Sequence, residues 1–126
     1  MRLLMYDLTL CPKRGGNMPQ VTGRLIVIEL KDVQDYHLVI ADHQGHTMLM
    51  QAPVKNCSKG SRFLKNITTV RRMLDARYPL QGKKRQELND AVTITGIGFL
   101  DRLHDQEGAA PDGIELHPVL SIAFDK

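Results

Sequence analysis

Hydrophobic residues alternate with polar residues along most of the chain from Val21 onward, and this is the period of β-strands. The stretch VTGRLIVIEL is rich in Val and Ile, and DYHLVIAD places Tyr36, Leu38 and Ile40 on one face. HTMLMQAPV continues the alternation, and the intervening HQGH supplies the glycine of a hairpin loop. These patterns predict a three-stranded meander.

The hydrophobic period changes to that of an α-helix between Lys59 and Tyr78. At 100° per residue, four apolar side chains form a stripe about 60° wide, typical of a helix packed on a core. They are Phe63, Ile67, Val70 and Leu74. Ser58 or Ser61 is expected to cap the start of the helix, and Pro79 is expected to end it.

The remainder of the chain returns to the strand period after LQGKKRQELND, which is expected to be a polar connector. AVTITGIGFL alternates, with Gly96 and Gly98 where a bent strand or a close backbone approach needs them. In IELHPVLSIAF one predicted face carries Ile114, Leu116, Pro118, Leu120, Ile122 and Phe124, and Val119 faces the other way. Pro118 donates no ladder hydrogen bond, so this strand is expected to lie at an edge or to carry a bulge there.

The predicted order of elements is β-β-β-α-β-β, which is that of the OB-fold. The fold class is therefore expected to be all-β with one helix, arranged as a five-stranded OB-fold-like barrel. A chain of 126 residues suits one domain, here residues 21–126, preceded by an N-terminal arm of residues 1–20. Apolar runs are shorter than the roughly 18 residues that span a bilayer, so no membrane span is expected.

The N-terminal sequence MRLLMYDLTLCPKRGG has some features of a lipoprotein signal. Asp7 interrupts its apolar run, and Leu10 stands where a small residue should precede the cleavage site. These departures favour a cytoplasmic location, with an exported or lipid-anchored protein as the alternative. Cys11 and Cys57 form one disulfide in an exported protein or are two free thiols in a reducing compartment.

Charge is distributed unevenly, although the net charge is only +3. The segment from Lys55 to Arg85 has ten basic residues and one acid, giving +9, so the remaining 7 bases and 13 acids give −6. This asymmetry predicts an anionic partner, the alternative being a solvated basic helix without one. Arg62, Lys65 and Arg72 fall within about 80° on the helical wheel, away from the apolar stripe. The residues expected to bind nucleic acid are Lys59, Arg62, Lys65, Arg72, Lys83, Lys84 and Arg85.

Three stretches, DYHLVIAD, TMLMQAPVKNC and above all TGIGFLDRLHDQEGAAPDGIELHPVLSI, resemble a family of small bacterial proteins. The members are described as nucleic-acid-binding proteins of OB-fold type, and some are lipoproteins. The resemblance covers the chain from about Val21 and implies an OB-fold and a nucleic-acid ligand. The family pattern usually has a Phe-Phe or similar apolar pair before an Asp, where this chain has Phe99-Leu100, and an Asn near the position of Asp112.

A long loop is predicted from Asp101 to Gly113, between the last two strands. A metal or acid/base site can be drawn from Asp101, His104, Asp105, Glu115 and His117. The spacing matches no known zinc or calcium motif, and Asp and His in turns often bond their own backbone. We therefore expect no catalytic residue, no metal site and no cofactor.

Single-strand binders of the OB type also use exposed aromatic side chains, on which bases stack. The pattern places Phe63, Phe124 and Tyr36 on core faces and leaves Tyr6 and Tyr78 as stacking candidates. The sequence thus favours a non-enzymatic module that binds single-stranded DNA or RNA mainly through its basic helix. The alternatives are a protein-protein interaction module and, less favoured, a metal-dependent phosphodiesterase.

Overall fold

The structure is a computed structural model and describes residues 18–31, 34–53, 62–100 and 114–125. Its elements are β1 (Gln20–Leu30), β2 (Tyr36–Ala41), β3 (Thr47–Ala52), α1 (Leu64–Arg77), β4 (Arg85–Leu100) and β5 (Ile114–Phe124). The predicted order β-β-β-α-β-β is confirmed. Both cysteines, Ser58, Ser61, Lys59, Tyr6 and the predicted loop at 101–113 lie outside the described residues.

The five strands form one sheet that closes into a ring in the order β1-β2-β3-β5-β4, with β4 pairing back to β1. β1, β2 and β3 are antiparallel neighbours, so the predicted meander is confirmed. β3 and β5 pair in parallel at Leu49 with Glu115 and at Met50 with Leu116. The turn between β2 and β3 contains Gly45 at φ 89°, a left-handed conformation that glycine adopts without steric cost.

Helix α1 is shorter than the predicted helical segment. It begins at Leu64, and Phe63 occupies the N-cap position without a capping side-chain hydrogen bond, so the prediction of a serine cap is wrong. Phe63 is instead buried in a cluster with Ile67 and other apolar residues, and we attribute the position of the helix start to this packing. The helix ends at Arg77, two residues before Pro79, as predicted.

Strand β4 begins at Arg85, so the predicted polar connector is partly strand. The physical reason is the length of β1, which pairs with β4 from Gln20 opposite Thr95 to Glu29 opposite Arg85. The polar residues at the start of β4 therefore have backbone partners in a ladder, although their side chains give little apolar signal.

Strand β5 has an irregular register opposite the glycines of β4. Gly96 pairs with Val119 and Gly98 pairs with Leu116, so His117 and Pro118 stand opposite one residue of β4. The predicted irregularity at Pro118 is confirmed. The irregularity also turns Val119 into the same core cluster as Leu116, so the prediction that it lies on the opposite face is wrong.

Gly96 is required by a close approach of the two backbones. A Cβ atom at this position would lie 2.8 Å from the Pro118 carbonyl oxygen, closer than real Cβ contacts allow. The sequence expectation of a close backbone approach at this glycine is therefore confirmed.

The core lies inside the ring and under α1. Its larger cluster includes Val70 and Leu74 of the helix, and a smaller cluster joins Phe63 and Ile67 to Ile97 and Leu120. All four residues of the predicted helical stripe are buried. In the part of the chain that the structure describes, no helix has the length and apolar composition needed to cross a membrane.

Candidate anion-binding surfaces

A cationic surface lies on the side of α1 that points away from the core. Lys65 and Arg72 of α1 are exposed, as is Arg62 in the turn just before the helix, and we call these three residues the basic helix face. None of the three forms an ion pair within the described residues, and the guanidinium of Arg62 lies 5.2 Å from the centre of the Phe63 ring. Because no acid neutralises them there, the three charges are available to an external anion.

Arg71, on the same helix, serves the packing of α1 on β2 instead. Its guanidinium lies 3.9 Å from the centre of the Tyr36 ring, and Nη1 donates a 2.6 Å hydrogen bond to the Gln34 carbonyl oxygen. The Tyr36 hydroxyl donates to Asp75 at 2.6 Å, and Asp75 also accepts from Arg71 Nε at 3.3 Å. Burial, together with the Asp75 hydrogen bond, raises the pKa of Tyr36. The role of Arg71 is therefore structural, because its contacts hold α1 against Tyr36 of β2.

Arg77 has a similar structural role at the C-terminal end of α1. Its guanidinium lies 4.1 Å from the centre of the Phe124 ring, and its Nε is 3.4 Å from Asp90 Oδ2. The Tyr78 hydroxyl donates to the same carboxylate oxygen. Burial, together with the Asp90 hydrogen bond, raises the pKa of Tyr78 to about 12, and the bond from Tyr78 lowers the pKa of Asp90. Arg77 thus joins α1 to β4 and β5.

Lys83, Lys84 and Arg85 lie after the helix, at the entry to β4. Lys83 and Lys84 are exposed, and the Lys84 carbonyl oxygen accepts a 2.7 Å hydrogen bond from the Leu30 amide. Arg85 is partly buried and stands opposite Glu29 of β1. Apart from Lys59, which lies outside the described residues, the residues expected to bind nucleic acid therefore fall into two groups, the basic helix face and this β4 entry.

Glu115 and His117, the candidates for acid/base or metal chemistry, are both buried on β5, at 2% and 8% exposure. Burial, with a smaller contribution from the charge of His37, lowers the pKa of His117 to about 4. The ring of His117 is therefore neutral at neutral pH. Among the described residues, no group of three or more His, Cys, Asp or Glu side chains could hold a metal ion.

The described aromatic side chains offer little surface for base stacking. Tyr36, Phe63 and Tyr78 are buried and Phe124 is partly buried against the core. The suggestion that Tyr78 is a stacking candidate is therefore wrong, because its ring packs edge-on against Phe124 and its hydroxyl is bonded to Asp90.

The charge pattern of the sequence counted the ten basic residues from Lys55 to Arg85 together as one excess of positive charge. It did not reveal that Arg71 and Arg77 have structural roles. A signal for Arg71 was present, because Asp75 follows it at the i+4 spacing of helical ion pairs. The stacking of Arg71 on Tyr36 and of Arg77 on Phe124 joins residues distant in the chain, which local patterns do not encode.

Comparison with known proteins found no match to this chain, either among protein-family models or among curated proteins. The functional interpretation of the two surfaces therefore rests on their geometry and charge.

Proposed function

We propose that this protein is a non-enzymatic binding module for an anionic polymer, with single-stranded DNA or RNA as the ligand. The sheet order β1-β2-β3-β5-β4 and the helix between β3 and β4 support an OB-like barrel, an architecture often used for such ligands. The sequence resemblance to bacterial proteins described as nucleic-acid-binding favours the same ligand.

The observation that carries the proposal is the basic helix face. Lys65 and Arg72 are exposed on the side of α1 opposite its buried stripe, Arg62 is exposed in the turn just before the helix, and none of the three forms an ion pair within the described chain. Lys65 and Arg72 are seven residues apart, so they stand about 10 Å apart along the helix axis. This spacing suits contacts with separate phosphates of one strand.

The chemistry of these contacts sets the kind of binding that we expect. Lysine and arginine neutralise phosphates and release counterions, which gives affinity that depends on salt and not on base sequence. Since the described aromatic rings are buried or partly buried, stacking adds little to it. The module should therefore bind single strands of any sequence with modest affinity.

A fluorescence polarisation titration with a labelled single-stranded oligonucleotide at low salt tests this proposal. Replacing Arg62, Lys65 and Arg72 together by glutamine is expected to weaken binding about tenfold or more, because three phosphate contacts are lost. This triple variant lowers the net charge from +3 to 0.

A matched control changes the net charge equally at another place. Gln20→Glu, Thr22→Glu and Ser121→Glu together also give a net charge of 0, and all three positions are exposed on strands β1 and β5. Its binding is expected to stay close to that of the unchanged protein. Equal losses in both triple variants would show that only net charge matters. If the unchanged protein binds neither DNA nor RNA, the nucleic-acid proposal fails and an acidic protein partner replaces it.

A further inference from the structure

The outer side of strands β1, β4 and β5 carries rows of short polar side chains. They alternate along the strands with core residues such as Val92, Ile94 and Ile122, so they point away from the core. The first row across the three strands is Gln20, Thr95 and Ser121, and the second is Thr22, Thr93 and Ala123. All six are exposed or partly exposed. The surface is therefore open to solvent and has no long side chain to keep a partner at a distance.

A third row adds one cation and one anion to this surface. Arg24 pairs with Ala91, and the Asp125 amide donates a 2.9 Å hydrogen bond to the Ala91 carbonyl oxygen. Arg24 and Asp125 therefore stand on either side of a small residue, with their backbones about 10 Å apart. Both are exposed, and neither forms an ion pair within the described residues. We call these three rows the β1-β4-β5 face.

The contacts of Arg24 hold its guanidinium on this face. Nε donates to Asn89 Oδ1, and Nη2 donates a 2.7 Å hydrogen bond to the Asn89 carbonyl oxygen. Both acceptors are neutral, so these bonds fix the cation in place without neutralising it. The pKa of Asp90 is lowered mainly by the Tyr78 hydrogen bond and the Arg77 contacts, and only slightly by Arg24. Because the two bonds use Nε and Nη2, Nη1 can donate to a carboxylate of another molecule.

Polar groups of the face are already bonded to one another. The hydroxyl oxygens of Thr22 and Thr93 lie 3.2 Å apart, Gln20 Nε2 donates to Thr95 Oγ1 at 3.5 Å, and Thr93 Oγ1 donates to Asp125 Oδ2 at 3.4 Å. A polar group that loses water without gaining a partner is costly to bury. Covering this face leaves few such groups, because partners within the chain remain.

We propose that the β1-β4-β5 face pairs with the same face of a second copy of this chain, about a two-fold axis that runs along β4. This axis places β1 of one copy against β5 of the other, and each row against the same row. Arg24 then meets Asp125 of the second copy, and the symmetry forms this ion pair twice. An axis across the strands would instead place Arg24 against Gln20 and Asp125 against Ser121, without an ion pair. The charges thus select one arrangement of the second copy.

The size of the face sets the strength of this contact. Five residues along each strand and three strands side by side cover roughly 200 Å². Stable interfaces bury about 800 Å² on each partner, so the dimer is weak and forms at high protein concentration. This inference concerns a different surface from the basic helix face and does not depend on the proposed function.

The experiment is a set of amide NMR spectra of the ¹⁵N-labelled protein over increasing protein concentration, with sedimentation velocity on the same samples. The amide signals of Thr22, Thr93 and Ala123 are expected to shift in a saturable manner as the average mass rises toward that of a dimer. A monomer at all concentrations, or shifts confined to other parts of the chain, would overturn the inference.

Charge reversal tests the proposed axis. Arg24→Glu and Asp125→Arg each place like charges opposite one another, so each is expected to raise the Kd of the dimer about tenfold or more. The two substitutions together restore opposite charges and are expected to return the Kd to within about threefold of the original. Arg72→Glu makes the same change in net charge as Arg24→Glu but on the basic helix face, and should leave the Kd unchanged.

Thermal melting shows which of these variants fold. Asp125→Arg leaves the bonds between Arg24 and Asn89 in place, so it tests the contact even if Arg24→Glu does not fold. An unchanged Kd in a folded Asp125→Arg protein, or a folded double variant as weak as the single variants, would overturn the proposed pairing.

The two triple variants described above distinguish this inference from the proposed function. The Gln20, Thr22 and Ser121 variant places three glutamates on the β1-β4-β5 face, so it is expected to remain monomeric and still bind the oligonucleotide. The glutamine variant of the basic helix face is expected to show the opposite behaviour. Loss of self-association in the helix variant, with the sheet variant still dimeric, would place the contact at the helix and overturn the inference.

Discussion

Replacing Ile67 by alanine is expected to lower the free energy of unfolding by about 2 to 5 kcal/mol, the range for removing a large aliphatic side chain from a packed core. Ile67 is 1% exposed and packs with Phe63, Ile97 and Leu120, so it joins the first turn of α1 to β4 and β5. Removing it leaves a cavity that the sheet cannot fill without moving the helix.

Chemical denaturation of the two proteins measures this loss, and Leu64→Ala is the matched control. Leu64 lies on the same helix but is 40% exposed, so its replacement should cost much less. Similar losses for the two variants, or no loss for Ile67→Ala, would contradict the packing of α1 on the sheet.

Acidification is expected to destabilise the protein by about 3 kcal/mol through His117 alone. Burial lowers the pKa of this histidine from its ordinary value of 6.5 to about 4. Between these values the unfolded chain binds a proton and the folded chain does not, so stability is complete above about pH 6.5, falls as the pH drops, and levels off below pH 4. The gap between the two pKa values sets the size of the loss.

Denaturation curves at pH 7 and near pH 4 test this prediction in the unchanged protein and in His117→Gln. The variant is expected to lose less stability on acidification, because glutamine does not titrate. His43→Gln is the control, since His43 is exposed in the turn between β2 and β3. An unchanged pH dependence in His117→Gln would show that the buried imidazole does not titrate in this way.

Local periodicity was sufficient to predict most of the fold. The alternation in β2, the apolar stripe of α1 and the stop at Pro79 each depend on residues close together in the chain, and each is found in the structure. The predicted order of elements followed from them.

The errors arose where a distant partner decides the structure. The start of β4 has a polar sequence and becomes strand because β1 is long enough to pair with it. Val119 enters the core because β5 is irregular opposite Gly96, and sequence alternation alone does not reveal how many residues such an irregularity shifts.

The candidate site was predictable only in part. Exposure of Lys65 and Arg72 followed from their positions on the helical wheel opposite the apolar stripe, whereas Arg62 is exposed in the turn before the helix. The structural roles of Arg71 and Arg77 depend on contacts between the helix and residues distant in the chain. A charge count along the chain does not contain that information.

The salt dependence of oligonucleotide binding tests the central claim, that the basic helix face binds nucleic acid, most directly. For a single strand, the slope of log K against log salt concentration is about −0.7 for each phosphate contact. Replacing Arg62, Lys65 and Arg72 by glutamine should therefore make the slope shallower by about 2, and the Gln20, Thr22 and Ser121 control should retain the original slope. Identical slopes for the unchanged protein and the helix variant would contradict the claim, because the three side chains would then contact no phosphate.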